Sequence, residues 1–466
     1  MAVVLGGAGV SPGAAPRRLM LLGNMLAVAL TGVAPVFTVP VGLQQSGGVA
    51  IETRLQVFSA DDALTKFGQG SELHRMARAV FSQYPEADLW ATPVAEAAGV
   101  KATATLTLTG TATASIVLRA FIAGVTIEIP ITTGDSAATL ATRLATATVA
   151  AFPDLPVTAQ AAAGVVTWTA KHNGFRGNEL KLAAEFSDGG TLTLNVGTVA
   201  VTTSGVTATL GALAFAGGTG TDSPTNALAS FATERFHLLA CAQSDTANIL
   251  LISDDLDAKA GVTTMLWGQL VSPSIKSPAS ATTDAAAINR PRVQLVNQES
   301  APLDGCTIAA QVAAGRLIGD AIVGGTTLGE SLDPAANLNG LQLRDVQAQR
   351  NPLDFPSGTE VESMLNAGVA PLVPDPGRPG FVQLVASITT RHKDSSAALN
   401  YAVWKTKAVT VSDFIAETVK RAIDTTYKKF KLRADPPEGQ VVKVPRVVTP
   451  SMIRSFVLAL LKNQEE

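Results

Sequence analysis

The period of the apolar positions changes along the chain, and each change predicts a different element. Leu19–Leu22 is an unbroken apolar run ending at Gly23, which reads as a buried strand. Leu55–Phe58 reads as a second strand, Asp61–Phe67 as a short helix, and Gly68–Gly70 as its break. Leu73, Met76, Ala77, Val80 and Phe81 then share one helical face, with His74, Arg75 and Arg78 on the other. Asp88–Thr92 is strand-like again. Strands alternating with helices imply an α/β layer structure.

The pattern changes near residue 97. From there to about 218 the chain is rich in Thr, Ala, Val and Gly and nearly lacks long charged side chains. Ala104, Leu106 and Leu108 alternate with Thr105, Thr107 and Thr109. Val125, Ile127, Ile129 and Ile131 alternate with Thr126, Glu128 and Pro130, and Val166, Trp168 and Ala170 repeat the pattern. A period of two marks half-buried strands. One helix interrupts them, with Asp135 expected as its N-cap and Leu140 and Leu144 facing inward. The loop Gly217-Gly218-Thr219-Gly220 closes the segment.

The α/β pattern resumes at Asn226. Phe236–Ala242 and Ile249–Ser253 read as strands, and Thr307–Ile318 reads as a helix. Pro371–Gly380 is a turn-rich break, Phe381–Thr389 a strand, and roughly 411–430 a helix. A final helix starts at Thr449 as N-cap with Pro450 in its first position, aligning Ile453, Phe456, Val457, Leu460 and Leu461. The fold class expected is α+β multidomain. An N-terminal arm (1–16) precedes an α/β core domain (17–96 plus 219–375), which is interrupted by an inserted β-rich domain (97–218). A C-terminal α/β domain (376–466) follows, with extended terminal arms.

A length of 466 residues suits two to four domains. With 47% hydrophobic and 16% charged residues the chain has the composition of a folded protein, and at 5% aromatics its cores must be built from Ala, Val, Leu and Ile. The formal net charge of -3 gives no global attraction to nucleic acid or acidic membrane. Cys241 and Cys306 lie far apart without a second pair, so neither a disulfide framework nor a zinc spacing follows, and both read as small buried apolar residues. Arg17 and Arg18 before the run to Leu30, with Ala27-Val28-Ala29, outline a secretory signal. Gly23 and Asn24 interrupt that outline, which favours the strand.

No local motif places a nucleophile, a base or a metal set together. His74, His172, His237 and His392 are scattered singly, and His237 reads as a core histidine in a strand. Asp254, Asp255 and Asp257 read as a solvated helix start. The glycine-rich loop lacks the Lys-Ser/Thr of a phosphate cradle, and no G-x-S-x-G turn occurs. Catalytic, cofactor and metal residues are therefore all expected to be none. Lys420, Arg421, Lys428, Lys429, Lys431 and Arg433 crowd one helix and its exit. They form either a solvated face near a helix C-terminus or a docking surface for an acidic partner. Interleaved aromatics are too few for nucleic acid.

Particular segments resemble the tail sheath proteins of Mu-like contractile phage tails. RRLMLLG (17–23) and FGQGSELHRMARAVFSQYPEADLWATPV (67–94) are similar to the family's opening, and TAKHNGFRGNEL (169–180) to its "TAR-KG-RGN" segment. DPAANLNGLQL (333–343), the stretch 362–392 with its proline-rich turn and Ile-Thr-Thr strand, and VVTPSMIR (447–454) follow in the family's order. At the two ends, MAVVLGGAGVSPGAAP and the stop at Glu466 depart from the longer arms usual in similar proteins. The resemblance implies a non-enzymatic subunit that assembles with itself as stacked hexameric rings in a helical sheath around a tail tube protein. Baseplate and tail terminator proteins are the further partners implied, in a virion tail assembled in the host cytoplasm. The sheath would contract to drive the tube through the host envelope. The same resemblance implies an outer position for the insert and an inner, tube-facing position for 376–466. Lys420, Arg421, Lys428 and Lys429 are then candidate tube contacts, and Ala2, Val3, Val4 and Leu5 a candidate strand linking subunits. A secreted or surface β-rich protein, or a hydrolase with a non-local catalytic set, are the alternatives. Direct nucleic-acid or small-molecule ligands are not expected.

Overall fold

The computed structural model describes residues 18–24, 52–187, 199–203, 205–210, 214–319, 338–437 and 445–462. The chain divides into two compact units, the first ending at Thr406 and the second beginning at Lys407.

In the first unit β1 (Arg18–Gly23) is the expected strand. It pairs in parallel with β3 (Asp88–Pro93), against which β2 (Leu55–Val57) lies antiparallel. Between β2 and β3 run α1 (Ala60–Phe67) and α2 (Glu72–Gln83), each N-capped by the serine before it. Leu19 and Leu21 point into one core and Met20 and Leu22 into another, all fully buried. A strand covered on both faces needs an apolar run without alternation, which is what the sequence provides. The second face of α2 is covered in part: His74 is buried and Arg75 nearly so, while Arg78 is exposed.

The segment from residue 97 builds two sheets of its own. They are formed by β4 (Lys101–Gly110), β5 (Ile116–Ile122), β6 (Val125–Ile131), β7 (Val157–Ala162), β8 (Val165–Asn173), β9 (Leu182–Phe186), β10 (Val199–Thr203) and β11 (Val206–Leu210), with α3 (Ala137–Ala151) between β6 and β7. One sheet has the order β10-β11-β4-β8-β7 and the other β6-β5-β9, all antiparallel. Alternation along β4 and β8 turns Leu106, Leu108, Val166 and Trp168 into one core with Leu140 and Leu144 of α3. The cap of α3 is Ser136, one residue later than expected. The Asp135 carboxylate is instead engaged by the Thr132 amide at 2.7 Å and by Arg143 at 2.9 Å.

After α4 (Thr225–Ala229) the chain returns to the large sheet. It continues through β12 (Leu238–Cys241), α5 (Thr246–Lys259), β13 (Gln269–Ser274), α6 (Pro278–Ile288), β14 (Val293–Asn297), α7 (Gly305–Gly319), β15 (Leu341–Gln347), α8 (Gly358–Asn366), β16 (Val369–Pro374) and β17 (Phe381–Leu384). The nine strands are ordered β15-β17-β16-β14-β13-β12-β1-β3-β2, parallel from β3 through β16. Two expectations change here. Ile249–Ser253 is helix, not strand. Asp245 caps α5, and Ile249, Ile252 and Leu256 share its buried face, so a short apolar run had concealed a 3.6-residue period. Pro371–Pro374 is strand, which confines the turn to Asp375–Gly380. Because β17 pairs with both β15 and β16, Phe381–Leu384 belongs to the large sheet. The break between compact units thus falls at Thr406/Lys407, where 375/376 was expected.

The second unit contains all but the first residue of α9 (Thr406–Tyr427), which carries Lys420 and Arg421 with Lys428 and Lys429 just past its end, and a short parallel pair of β18 (Lys431–Leu432) and β19 (Val447–Val448). It also contains α10 (Pro450–Lys462). The Thr449 hydroxyl accepts from the Met452 amide at 3.4 Å, and Asp435 accepts from the Ser451 amide at 3.0 Å, which starts α10 at the expected Pro450. Tyr427 meets the rings of Phe430 and Phe456 edge-on, both at 5.4 Å. Ile453, Phe456, Val457, Leu460 and Leu461 are half-buried on one face of α10.

Candidate functional site

The strongest polar constellation lies where the β-rich segment leaves and rejoins the large sheet. Arg176, in the turn after β8, donates to both carboxylate oxygens of Glu72 at 3.0 Å and to Asp222 Oδ2 at 2.6 Å. Its side chain is 9% exposed. Glu72 opens α2 and also accepts from the Asn24 amide at 2.9 Å, while Asn24 Nδ2 donates to Asp222 at 2.9 Å. The other Asp222 oxygen accepts from the Ala97 amide at 2.6 Å. Burial pushes the Glu72 carboxyl upward, but the Arg176 charge, His172 and the Asn24 amide outweigh it and hold the group at about 2. Burial likewise opposes the charge on Arg176, yet Glu72 and Asp222 raise its pKa above the ordinary value.

Around this cluster other groups tie the same two parts of the chain. Lys171 Nζ donates to the Gln69 and Pro153 carbonyls at 3.0 and 2.7 Å, and burial followed by the nearby Arg75 charge brings it down to about 8. Asn178 clamps Gly218, donating to its carbonyl at 3.0 Å and accepting from its amide at 2.8 Å. The glycine-rich loop is therefore a structural closure. Gly99 admits no side chain, since a Cβ there would lie 1.9 Å from the Thr219 carbonyl oxygen. Nothing in the local pattern marked Arg176 as functional. Its partners lie 104 and 46 residues away, and its one sequence signal was the Arg-Gly-Asn match inside 169–180.

The residues singled out on α9 and its exit are only partly alike. Lys428 and Lys429 are exposed, Arg421 is exposed and pairs with Glu417 at 3.2 Å, and Lys420 is half-buried. The apolar Ile415, on α9, and Phe430, just past it, are 37% and 38% exposed. Ala2, Val3, Val4 and Leu5 lie outside the described residues.

The remaining candidates are structural. His74 Nδ1 accepts from the Gly70 amide and His237 Nδ1 from the Arg18 amide, both at 3.2 Å, while His392 Nδ1 lies 3.0 Å from the Thr390 carbonyl. His172 is buried with Nδ1 3.7 Å from Glu96. The three aspartates sit in the second half of α5, not at a helix start. Asp254 meets Arg290, Asp255 meets Lys259 and Asp257 meets Arg292. Both cysteines are buried and free; burial pushes Cys241 up to about 12 and Cys306 well above its usual value. Among the described residues no group of His, Cys, Asp and Glu is arranged to hold a metal ion, and no helix is long and apolar enough to cross a membrane.

A large mixed sheet, a separately cored β-rich segment and clusters built from ion pairs describe a mixed α/β protein with structural polar networks. No protein-family model matches the chain. It is 25% identical over 422 residues to the Mu-like prophage FluMu tail sheath protein of Haemophilus influenzae, a match spanning 90% of this chain and 80% of that one. Among solved structures it is similar to the sheath tail protein of Desulfitobacterium hafniense (13% identity, 99% of this chain and 89% of that chain, TM-score 0.45). It is also similar to the sheath tail protein of Listeria innocua (13%, 89% and 77%, TM-score 0.42). The resemblance is thus to tail sheath proteins of Mu-like phages, and this sequence similarity indicates a structural, non-enzymatic protein with a role in a phage tail sheath.

Proposed function

We propose that the chain is the subunit of a contractile tail sheath, stacking as hexameric rings around a tail tube and contracting to drive the tube through a host envelope. The observation that carries this reading is the similarity to a Mu-like prophage tail sheath protein along 90% of the chain. The distribution of exposed apolar side chains supports assembly. Among the described residues, five of twelve large exposed hydrophobics (Ile415, Phe430, Leu432, Met452 and Leu458) fall in the unit that begins at Lys407. Exposed apolar side chains on one unit are available to be covered in an assembly.

In this reading 97–218 is an outer decoration and the C-terminal unit faces the tube. Lys428 and Lys429, with Lys420 and Arg421, meet acidic tube residues, and Ala2–Leu5 adds a strand to a neighbour's sheet. Further partners are the baseplate and tail terminator, in a virion tail assembled in the host cytoplasm. The test is negative-stain microscopy of the purified chain with and without its tube protein. Rings or hollow tubes of subunits support the reading, and a monodisperse monomer under both conditions overturns it. Removing residues 2–16 is expected to weaken polymerisation far more than folding, measured by sedimentation of assembled tubes beside a melting curve.

A further inference from the structure

Only two chain crossings join the β-rich segment to the large sheet, one near Ala97–Val100 and one near Thr219–Asp222. They bond to each other, with the Val100 and Thr219 amides donating to one another's carbonyls at 3.2 and 3.0 Å. A two-stranded ribbon of this kind can bend as a unit. Apolar packing between the two bodies is incomplete. A cavity of about 240 Å³, lined by Phe121, Lys181, Ser300 and Arg350, opens on one side of the β5–β6 turn. Another of about 420 Å³, lined by Phe152, Pro153, Leu303 and Thr307, opens on the other. Between them the turn touches down at Gly124, where a Cβ would come within 2.9 Å of Leu303. The charged tie of Arg78 with Asp154 across the gap is solvated, its arginine side chain 58% exposed, and that of Arg350 with Glu185 is half-buried.

Arg176 differs from these. Its planar fork is buried, makes three charge-assisted bonds, and reaches two carboxylates from separate parts of the chain. A bidentate guanidinium contact fixes orientation as well as distance. We propose that Arg176, Glu72 and Asp222 form a positioning latch that sets the orientation of the β-rich body on the large sheet, so that the two move together and swing on the ribbon when the latch is open. The same Asp222 carboxylate holds the Ala97 amide, and Asn24, at the end of β1, touches both carboxylates. Load applied to the β-rich body therefore enters the large sheet at the end of β1, two strands in from its β2 edge. This inference concerns one chain in isolation and does not depend on the sheath reading.

The test is a distance measured between two spin labels. Thr133→Cys on the β-rich body and Thr283→Cys on α6 are both exposed positions, and the two native cysteines are buried. The parent should give one narrow distance distribution. Arg176→Met at pH 7.5 should broaden it, because two buried carboxylates are left facing each other. Without the Arg176 charge, the burial that raises the Glu72 pKa is opposed by less, so a drop to pH 5 favours its neutral form and the Arg176→Met distribution should narrow again while the parent stays unchanged. Glu96, Glu179, Arg75, Asp304 and His172 also face the cluster. Both measurements are therefore made in a His172→Gln background, which removes the imidazole. Arg176→Lys keeps the charge without the fork and should broaden the distribution partially; it is also the fallback if the Met variant does not fold. An unchanged distribution in the Met or Lys variant overturns the latch. Broadening of the Met variant that persists at pH 5 also overturns it, since that outcome belongs to lost packing.

Discussion

Among the described residues, Glu72 carries a clear pH dependence. Its folded pKa is lowered from 4.5 to about 2, so folding favours the ionised carboxylate. The stabilisation is whole above about pH 5 and is lost as pH falls toward 2. A shift of that size corresponds to about 3 kcal/mol. Calorimetric melting of the parent should therefore fall steeply from pH 5 to pH 3, and Glu72→Gln should show a flatter slope over the same interval. An equal slope in both would remove Glu72 as the source. Glu179, whose burial raises its pKa, works in the opposite direction and cannot produce the acid loss. The thiols give a second check. With Cys241 and Cys306 buried and their pKa values raised, neither should react with a disulfide reagent at pH 8 until denaturant is added. At this scale the sequence was informative about burial and silent about pairing. Leu19–Leu22 and both cysteines were legible because an apolar side chain's environment follows from its own chemistry. Arg176, Glu72 and Asp222 were not, because ion pairs between residues 104 and 46 positions apart leave no local period.

Elements were legible where one face decides. The half-buried stripe of α10 and the alternation of β4 and β8 match the sequence pattern residue by residue, since each buries one side only. They were less legible where burial is on all sides. In α5 a four-residue apolar run fits strand and helix equally, and only Asp245 as a cap distinguishes them. The β-rich segment should be separable as an element. Its crossings meet at the Val100–Thr219 bridge, and its core of Leu106, Ile127, Leu140 and Trp168 is its own. Replacing residues 97–218 by a short Gly/Ser linker is expected to leave a cooperative melt and a far-ultraviolet spectrum shifted toward helix. Loss of a cooperative transition would show that the large sheet depends on the insert. By contrast, Leu21→Ala in the middle of β1 removes a fully buried side chain and should cost about 2–5 kcal/mol, read from the denaturation midpoint.

In the proposed sheath, the question at the scale of the molecule is how its subunits would grip a tube and still slide. A large apolar interface would hold tightly and release slowly, whereas a charged, solvated one can hold through many weak contacts repeated in every subunit. Each exposed ion pair contributes only about 0–1 kcal/mol, so no single lysine should matter. The structure ranks the four candidates. Lys428 and Lys429 are exposed at the end of α9, Arg421 is shared with Glu417, and Lys420 is half-buried. Reversing Lys420, Arg421, Lys428 and Lys429 together to Glu is therefore expected to block assembly around the tube while leaving the monomer's melting curve nearly unchanged. Lys428→Glu with Lys429→Glu alone should produce most of the loss. Salt gives an independent reading, because the screening length shrinks from about 10 Å at 0.1 M to about 3 Å at 1 M. Tube-dependent assembly of the parent, followed by co-sedimentation, should weaken across that range. A quadruple variant that decorates tubes as well as the parent would make the basic face a solvated helix end, and the grip would then have to come from the exposed apolar side chains of the same unit, Ile415, Met452 and Leu458.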